Sequence, residues 1–337
     1  MKKIYLVTRD PSCNGNNIFN LDHPGNRDNC YYPFYCLKKF LADSGADLKT
    51  YDFLKKENPD EFELLFCDIP RDIDAIVKKY PTVRKVLLLW ETEAVYPLNW
   101  NKKKHQFFST IFVWNDDWVD QKKYFKFHWP MPILDPCDVT ADQKTRFCAL
   151  ISGHKLMSHP LELYSERLKT IRWFEQHHPE DFDLYGIGWD RRFFMPPLSV
   201  LNRIGLLTRL CNPEFPSYRG KVTLKRDVLR QYKFSFCYEN IRDLPGYMTE
   251  KIFDSFFAGC VPVYWGASNI EKYVPEKAFI DRREFTSLED LYRFMKNMTD
   301  DEYQGYLCAM RDYVTGDAIR LFSAECFAQL IGNVLLN

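Results

Sequence analysis

Residues Tyr232–Asn269 read YKFSFCYENIRDLPGYMTEKIFDSFFAGCVPVYWGASN, and the order of patterns within them decides the fold. Tyr232–Tyr238 is an apolar, aromatic-rich run ending at polar Glu239 and Asn240, as a buried strand does. A turn containing Pro245 and Gly246 leads to Thr249, a suitable N-cap by residue type. The helix that follows carries Ile252, Phe253, Phe256 and Phe257 on one face. Gly259 stands where a helix ends in the left-handed conformation, and Val261–Trp265 reads as the next strand. Strand, helix and strand in this order form one turn of a parallel α/β fold.

The alternation extends in both directions. Upstream, strands are expected at Lys3–Thr8, Leu48–Phe53, Leu64–Cys67, Lys85–Trp90 and Ser109–Trp114. Helices are expected at Tyr32–Ser44 and Asp72–Tyr80, with a polar, Asn-rich loop over Asp10–Asn29. Pro130, Pro132 and Pro136 stiffen the stretch between Trp129 and Thr140, which reads as a linker. Beyond it come a strand at Phe147–Ser152, a helix at Leu161–Gln176, a strand at Phe182–Tyr185 and a helix at Leu224–Gln231. The tail is helical from Asp300, with Phe322–Leu336 an amphipathic ending. Two α/β domains are therefore expected, residues 1–140 and 141–337, with a cleft between them and a last helix able to pack back on the N-terminal domain. Ligands of open α/β sheets bind beyond the carboxyl ends of strands, so residues just after strands are the ones to inspect.

Composition narrows the chemistry. The 337 residues carry 46 Lys and Arg against 46 Asp and Glu, a zero balance that speaks against a general nucleic-acid binder. A hydrophobic content of 46% supports sizeable cores, and the 16% aromatic share suits sites that pack flat rings or sugars as well as plain cores. Eleven Cys without a CxxC pair fit reduced thiols better than a zinc site or a disulfide framework. The apolar stretch Ile4–Thr8 is shorter than a signal-peptide core, and no run approaches the ~20 residues of a membrane span. The expected setting is the cytoplasm.

The start of the helix after Thr249 carries the chemical signal. Helix starts present unpaired N–H groups and the positive dipole end, and so attract phosphate. Lys251 there makes a diphosphate candidate, and Glu250 can accept from the adjacent hydroxyls of a ribose. From the residues alone the plain alternative stays open: Glu250 favouring the dipole and Lys251 a solvated surface residue.

The pattern YENxxxxPGYxTEKIFDxxxAGxVPVYWG closely resembles the signature of the α-1,3-fucosyltransferases, glycosyltransferase family 10. LLLWETEAV resembles the family's first catalytic segment, IFVWNDDWVDQKKYFK a stretch common in its bacterial members, and FIDRREF continues the pattern from Phe279. The resemblance covers Lys85 to Phe285 discontinuously and is strongest over Tyr218–Phe285. It implies a GT-B fold of two Rossmann-like domains. It also implies a GDP-β-L-fucose donor bound mainly by the C-terminal half, direct displacement with inversion, and a glycan acceptor bound by the N-terminal half.

The resemblance assigns the catalytic base to Glu91, directly after the strand Lys85–Trp90, with Glu93 as its rival. The apolar approach to Glu91 is expected to desolvate it and raise its pKa. Lys251 matches the family's diphosphate lysine. Arg167, in SERLKTI, resembles a diphosphate arginine, with pairing to Glu166 as the alternative. Glu250 matches the ribose glutamate, Asn240 and Tyr247 match nucleotide-pocket positions, Tyr218 in SYRGK is a further nucleotide candidate, and Ser152 is assigned to the guanine pocket. Two positions depart from the pattern: Ser235 replaces a common aromatic, and Gly153 stands where some relatives carry Asn. No bound metal is required, although divalent cations can stimulate. Nucleic acid is not an expected partner, whereas peripheral contact with the inner membrane is compatible with the reading. A different nucleotide-sugar, or a non-catalytic glycan- or nucleotide-binding module, are the alternatives.

Other signals carry little. Asp72-x-Asp74 and Asp181-x-Asp183 match DxD no more often than chance gives at this Asp content. Gly186-x-Gly188 lacks the third glycine of a dinucleotide fingerprint, His177-His178 reads as an exposed helix end, and Lys102–Lys104 as a solvated loop.

Overall fold

The computed structural model of the chain describes residues 1–55, 58–136, 143–192, 198–205 and 214–337. It divides into two compact units. The first comprises Met1–Ile133 with Pro245–Tyr247 and Ile319–Asn337, and the second Leu134–Leu244 with Met248–Ala318. The boundary expected at 140/141 lies outside the described residues, and the division between units falls at Ile133.

The first unit holds β1 (Lys2–Thr8), β2 (Ala46–Thr50), β3 (Phe62–Cys67), β4 (Lys85–Leu89), β5 (Thr110–Val113) and β6 (Tyr124–Lys126). They form one sheet in the order β2-β1-β3-β4-β5-β6, parallel throughout. Every residue of β4 and β5 is buried, because helices and loops cover both faces of such a sheet and a central strand must be apolar on both sides. Lys85 is the exception in type but not in satisfaction: its Nζ donates to the carbonyls of Tyr80 and Val83, and burial pulls its pKa down. Helices α1 (Tyr32–Asp43), α2 (Ile73–Lys79) and α3 (Lys102–His105) follow their strands. Strand β2 stops at Thr50, short of the expected Phe53, because Asn16 exchanges hydrogen bonds with the Thr50 backbone and hydroxyl. The C-terminal helix, Ala324–Leu336, packs on α1 within this unit.

The second unit holds β7 (Arg146–Ile151), β8 (Phe182–Tyr185), β9 (Tyr232–Tyr238), β10 (Val261–Trp265) and β11 (Ile280–Asp281), in the parallel order β11-β10-β9-β7-β8. Its helices are α4 (Tyr164–His177), α5 (Lys225–Leu229), α6 (Glu250–Phe257), α7 (Leu288–Lys296) and α8 (Asp300–Thr315). The apolar face of α6 is buried as its spacing predicts, each Phe or Ile contributing about 2 kcal/mol relative to exposure. Gly259 ends the helix at φ 61°. The short strands β6 and β11 and the helix α7 are additions to the expected elements.

Candidate active site

In the second unit the strand order reverses between β7 and β9. A crevice forms beyond the carboxyl ends of strands at such a switch point. Its walls include Ser152, just past β7, Tyr238 at the end of β9, and three cations: Arg167 of α4, Lys225 of α5 and Lys251 of α6. Lys225 has no motif that marks it in sequence; only the packing of α5 beside α6 brings it here.

Each cation is already engaged. Lys251 Nζ lies 2.8 Å from Glu239 Oε2 and 2.8 Å from Thr249 Oγ1. Glu239 is fully buried, and its carboxylate also accepts from the Thr249 amide at 2.7 Å and the Thr249 hydroxyl. Thr249 is thus the N-cap residue of α6, but its side chain serves Glu239 rather than the helix. The anion that offsets Lys251 at the helix start is therefore Glu239, a residue the sequence reading treats only as a strand terminator. Burial would lower the Lys251 pKa, yet Glu239 and Glu250 raise it, so the ammonium stays charged.

Glu250 stands 3.7 Å from Lys225 Nζ and 4.0 Å from Lys251 Nζ. Burial opposes its ionisation, but the two ammoniums hold its pKa down at about 2. Lys225 also pairs with Asp254 at 2.8 Å. Within the chain, Arg167 Nη2 donates to the carbonyls of Tyr238 (2.6 Å) and Glu239 (2.8 Å) and to Asn240 Oδ1 (3.2 Å), while Glu166 pairs with Lys169. Arg167 ties α4 to the end of β9 and lines the crevice.

The remaining candidates divide. Asn240, half-buried, joins this group through Arg167. Ser152 lines the crevice, and its Oγ has no hydrogen-bond partner among the described residues. Tyr218 donates its hydroxyl to the Gly186 carbonyl at 2.9 Å. Gly186 has φ +131°, and a Cβ there would run into the Ser152 backbone, so β7 and β8 can converge only on glycine. Tyr247 belongs to the first unit, where its ring is buried against Trp114 and Trp129. Ser235 bonds Ser255 at 2.7 Å in the wall of the crevice.

In the first unit, three residues follow adjacent strands: Arg9 directly after β1, Asp68 directly after β3 and Glu91 two residues past β4. The Glu91 side chain is 23% exposed and receives Arg9 Nη2 at 3.0 Å. Its surroundings are therefore ionic, where the sequence predicts apolar desolvation. Asp68, 2% exposed, accepts from the amides of Trp90 (2.9 Å) and Glu91 (3.0 Å), from Asn99 Nδ2 (2.5 Å) and from Arg9 Nε (3.1 Å). Glu93 is exposed. Arg9 and Asp68 are missed by motif, although the rule of inspecting residues after strands points to both. Among the described residues no group of three His, Cys, Asp or Glu could hold a metal ion, no helix is long and apolar enough to cross a membrane, and every cysteine is a free thiol. Three of the four Asp in the DxD matches serve ion pairs: Asp74 with Lys104, Asp181 with Lys296, and Asp183 with Arg146 and Arg219.

Two parallel-sheet Rossmann-like units of this kind are those of the GT-B fold. Residues 207–321 match the C-terminal region of glycosyltransferase family 10, the fucosyltransferases. An α-(1,3)-fucosyltransferase of Helicobacter pylori is 36% identical over a stretch covering 21% of this chain and 15% of that relative. The matched stretch is thus a small part of the relative's length. A crystal structure of an α1,3-fucosyltransferase with GDP-fucose superposes with a TM-score of 0.54 at 16% identity, covering 100% of this chain and 92% of that one. The Anabaena protein HepE in complex with UDP-glucose superposes with a TM-score of 0.58 at 11% identity, covering 100% of both chains. At these identities the solved structures speak for the fold.

Proposed function

We propose that this chain is an inverting glycosyltransferase that moves L-fucose from GDP-β-L-fucose to a glycan hydroxyl. The linkage is α-1,3, to a GlcNAc- or Glc-type residue of a lipopolysaccharide or other surface glycan. The carrying observation is the crevice of the second unit, where Arg167, Lys225 and Lys251 converge within or beside the stretch that matches the fucosyltransferase family. A diphosphate is the ligand that such converging donors suit, and a relative of this fold was crystallised with GDP-fucose.

The roles follow from the chemistry. Arg167, Lys225 and Lys251 take the diphosphate, and their charge grows in value as the C1–O bond to phosphate breaks and GDP departs with the electron pair. Glu250 accepts from the ribose hydroxyls, while Asn240, Tyr218, Tyr247 and Ser152 contact the nucleotide. Glu91 takes the proton from the acceptor hydroxyl as its oxygen attacks C1 from the face opposite GDP, turning a β donor into an α product. These cations supply the charge at the leaving group, so the reading needs no resident metal, and divalent cations act as stimulants. The enzyme works in the cytoplasm, with peripheral contact at the inner membrane.

A transfer screen with GDP-fucose against a glycan array, read by mass spectrometry, tests the reading. The expected product is one deoxyhexose heavier than its acceptor. Transfer of a hexose from a UDP-sugar, and none from GDP-fucose, overturns the donor.

A further inference from the structure

We propose that Arg9 and Asp68 form a positioning pair that fixes Glu91 for proton transfer; the proposal rests on Glu91 being the base. The three residues close a loop of contacts. Asp68 Oδ1 accepts the Trp90 and Glu91 amides and so holds the backbone of Glu91. Asp68 Oδ2 holds Arg9 Nε at 3.1 Å, and Arg9 Nη2 holds the Glu91 carboxylate at 3.0 Å. One guanidinium thus spans two carboxylates with adjacent N–H groups, a use of the planar fork that lysine cannot reproduce. The Arg9 fork is steadied from a third side by the ring of Tyr96, whose centroid is 4.7 Å from its central carbon.

The backbone shows that this arrangement is held against a cost. Asp68 sits at φ 64°, in the left-handed region that a non-glycine residue occupies only when its surroundings over-determine it. The strands supply the setting: β1, β3 and β4 are neighbours, with Thr8 beside Cys67 and Cys67 beside Leu88; Arg9 and Asp68 are the first residues past β1 and β3, and Glu91 the second past β4. Burial increases from Glu91 to Asp68, whose side chains are 23% and 3% exposed, leaving the Glu91 carboxylate reachable while its anchor is not. The charged groups around Glu91 include Arg9 and Asp68, with Asp10 next to Arg9 in the chain; the nearby thiols of Cys13 and Cys67 stay neutral because burial raises their pKa. A facing cation favours the ionised carboxylate, and Asp68 opposes that effect, so Arg9 sets the balance.

The test measures GDP release from GDP-fucose across pH, with water or a GlcNAc-terminated glycan as acceptor, in Arg9→Gln, Arg9→Lys, Asp68→Asn and Glu91→Gln. Arg9→Gln is expected to lower kcat about 10²-fold with unchanged KM for GDP-fucose, as a misplaced base does. It should also move the acid limb of kcat/KM to higher pH. Arg9→Lys should return the limb toward its original position, because the charge is back, and recover only part of kcat. Arg9 has an exposed side chain, so Arg9→Gln carries the test even where Asp68→Asn fails to fold. An Arg9→Gln enzyme with the original kcat and acid limb, beside an inactive Glu91→Gln, overturns the positioning role alone. A fully active Glu91→Gln overturns the base assignment and this proposal with it.

Discussion

Lys251 Nζ lies 2.8 Å from the Oε2 of Glu239, a carboxylate with none of its side-chain surface exposed. The lysine proposed to grip the donor's diphosphate is therefore oriented by a fixed internal anion. It also meets Glu250, whose carboxylate two lysines share. A diphosphate arriving here finds a preformed cluster of three cations and their acids, and preorganised charge of this kind is what stabilises a departing anion.

Glu239→Gln is expected to destabilise the protein by about 1–3 kcal/mol, because Lys251 loses its buried partner and keeps only the more distant Glu250. Urea unfolding followed by circular dichroism measures it, and an unchanged midpoint contradicts the assigned role. GDP binding should weaken in parallel as Lys251 loses its anchor.

The Glu250 carboxyl has a pKa of about 2 in the folded protein against an ordinary 4.5. A depressed carboxyl contributes stability that is fully present above the ordinary value and is lost as pH falls from about 4.5 toward 2. Glu250→Gln should therefore be less stable than the parent at pH 7, with the difference shrinking steadily below pH 4.5. Denaturant titrations across that range check the sign; a difference that grows toward acid contradicts it.

Gly186→Ala should cost about 1–3 kcal/mol, since φ +131° is closed to alanine and the new Cβ meets the Ser152 backbone. Because Ser152 lines the crevice, donor binding should fall as well. A fall in melting temperature together with weaker GDP binding is the expected pair of results.

Glu91→Gln should lower turnover on the order of 10²–10⁴-fold, the usual worth of a general base, while GDP-fucose affinity stays close to that of the parent. Steady-state kinetics with a parallel binding titration separates the two. Retained turnover directs attention to Glu93, which is exposed on the turn that follows.

Much of the fold is legible in the sequence because parallel strands buried on both faces are unbroken apolar runs: Lys85–Leu89, Tyr232–Tyr238 and Val261–Trp265 all stand where the pattern puts them. Strands β6 and β11 are too short and mixed to announce themselves. Lys102–His105 forms a helical turn in place of the expected loop, capped by Asn101 and tied through Lys104 to Asp74. The site is legible where position after a strand or at a helix start marks a residue, as at Glu91 and Lys251. Partnerships are not: Arg9 meets Glu91 across 82 positions of chain, and no periodicity encodes that pairing. The same limit hides Tyr247, which lies with Pro245 and Gly246 in the first unit and packs its ring on Trp114, while Asn240 and Thr249–Lys251 of the same motif belong to the second.

The most direct measurement is isothermal titration of the purified protein and of Lys251→Ala with GDP-fucose, GDP-mannose and UDP-glucose. The account predicts that the parent binds GDP-fucose in preference to the other two and that Lys251→Ala binds it markedly more weakly. Binding of UDP-glucose without any binding of a GDP compound contradicts it.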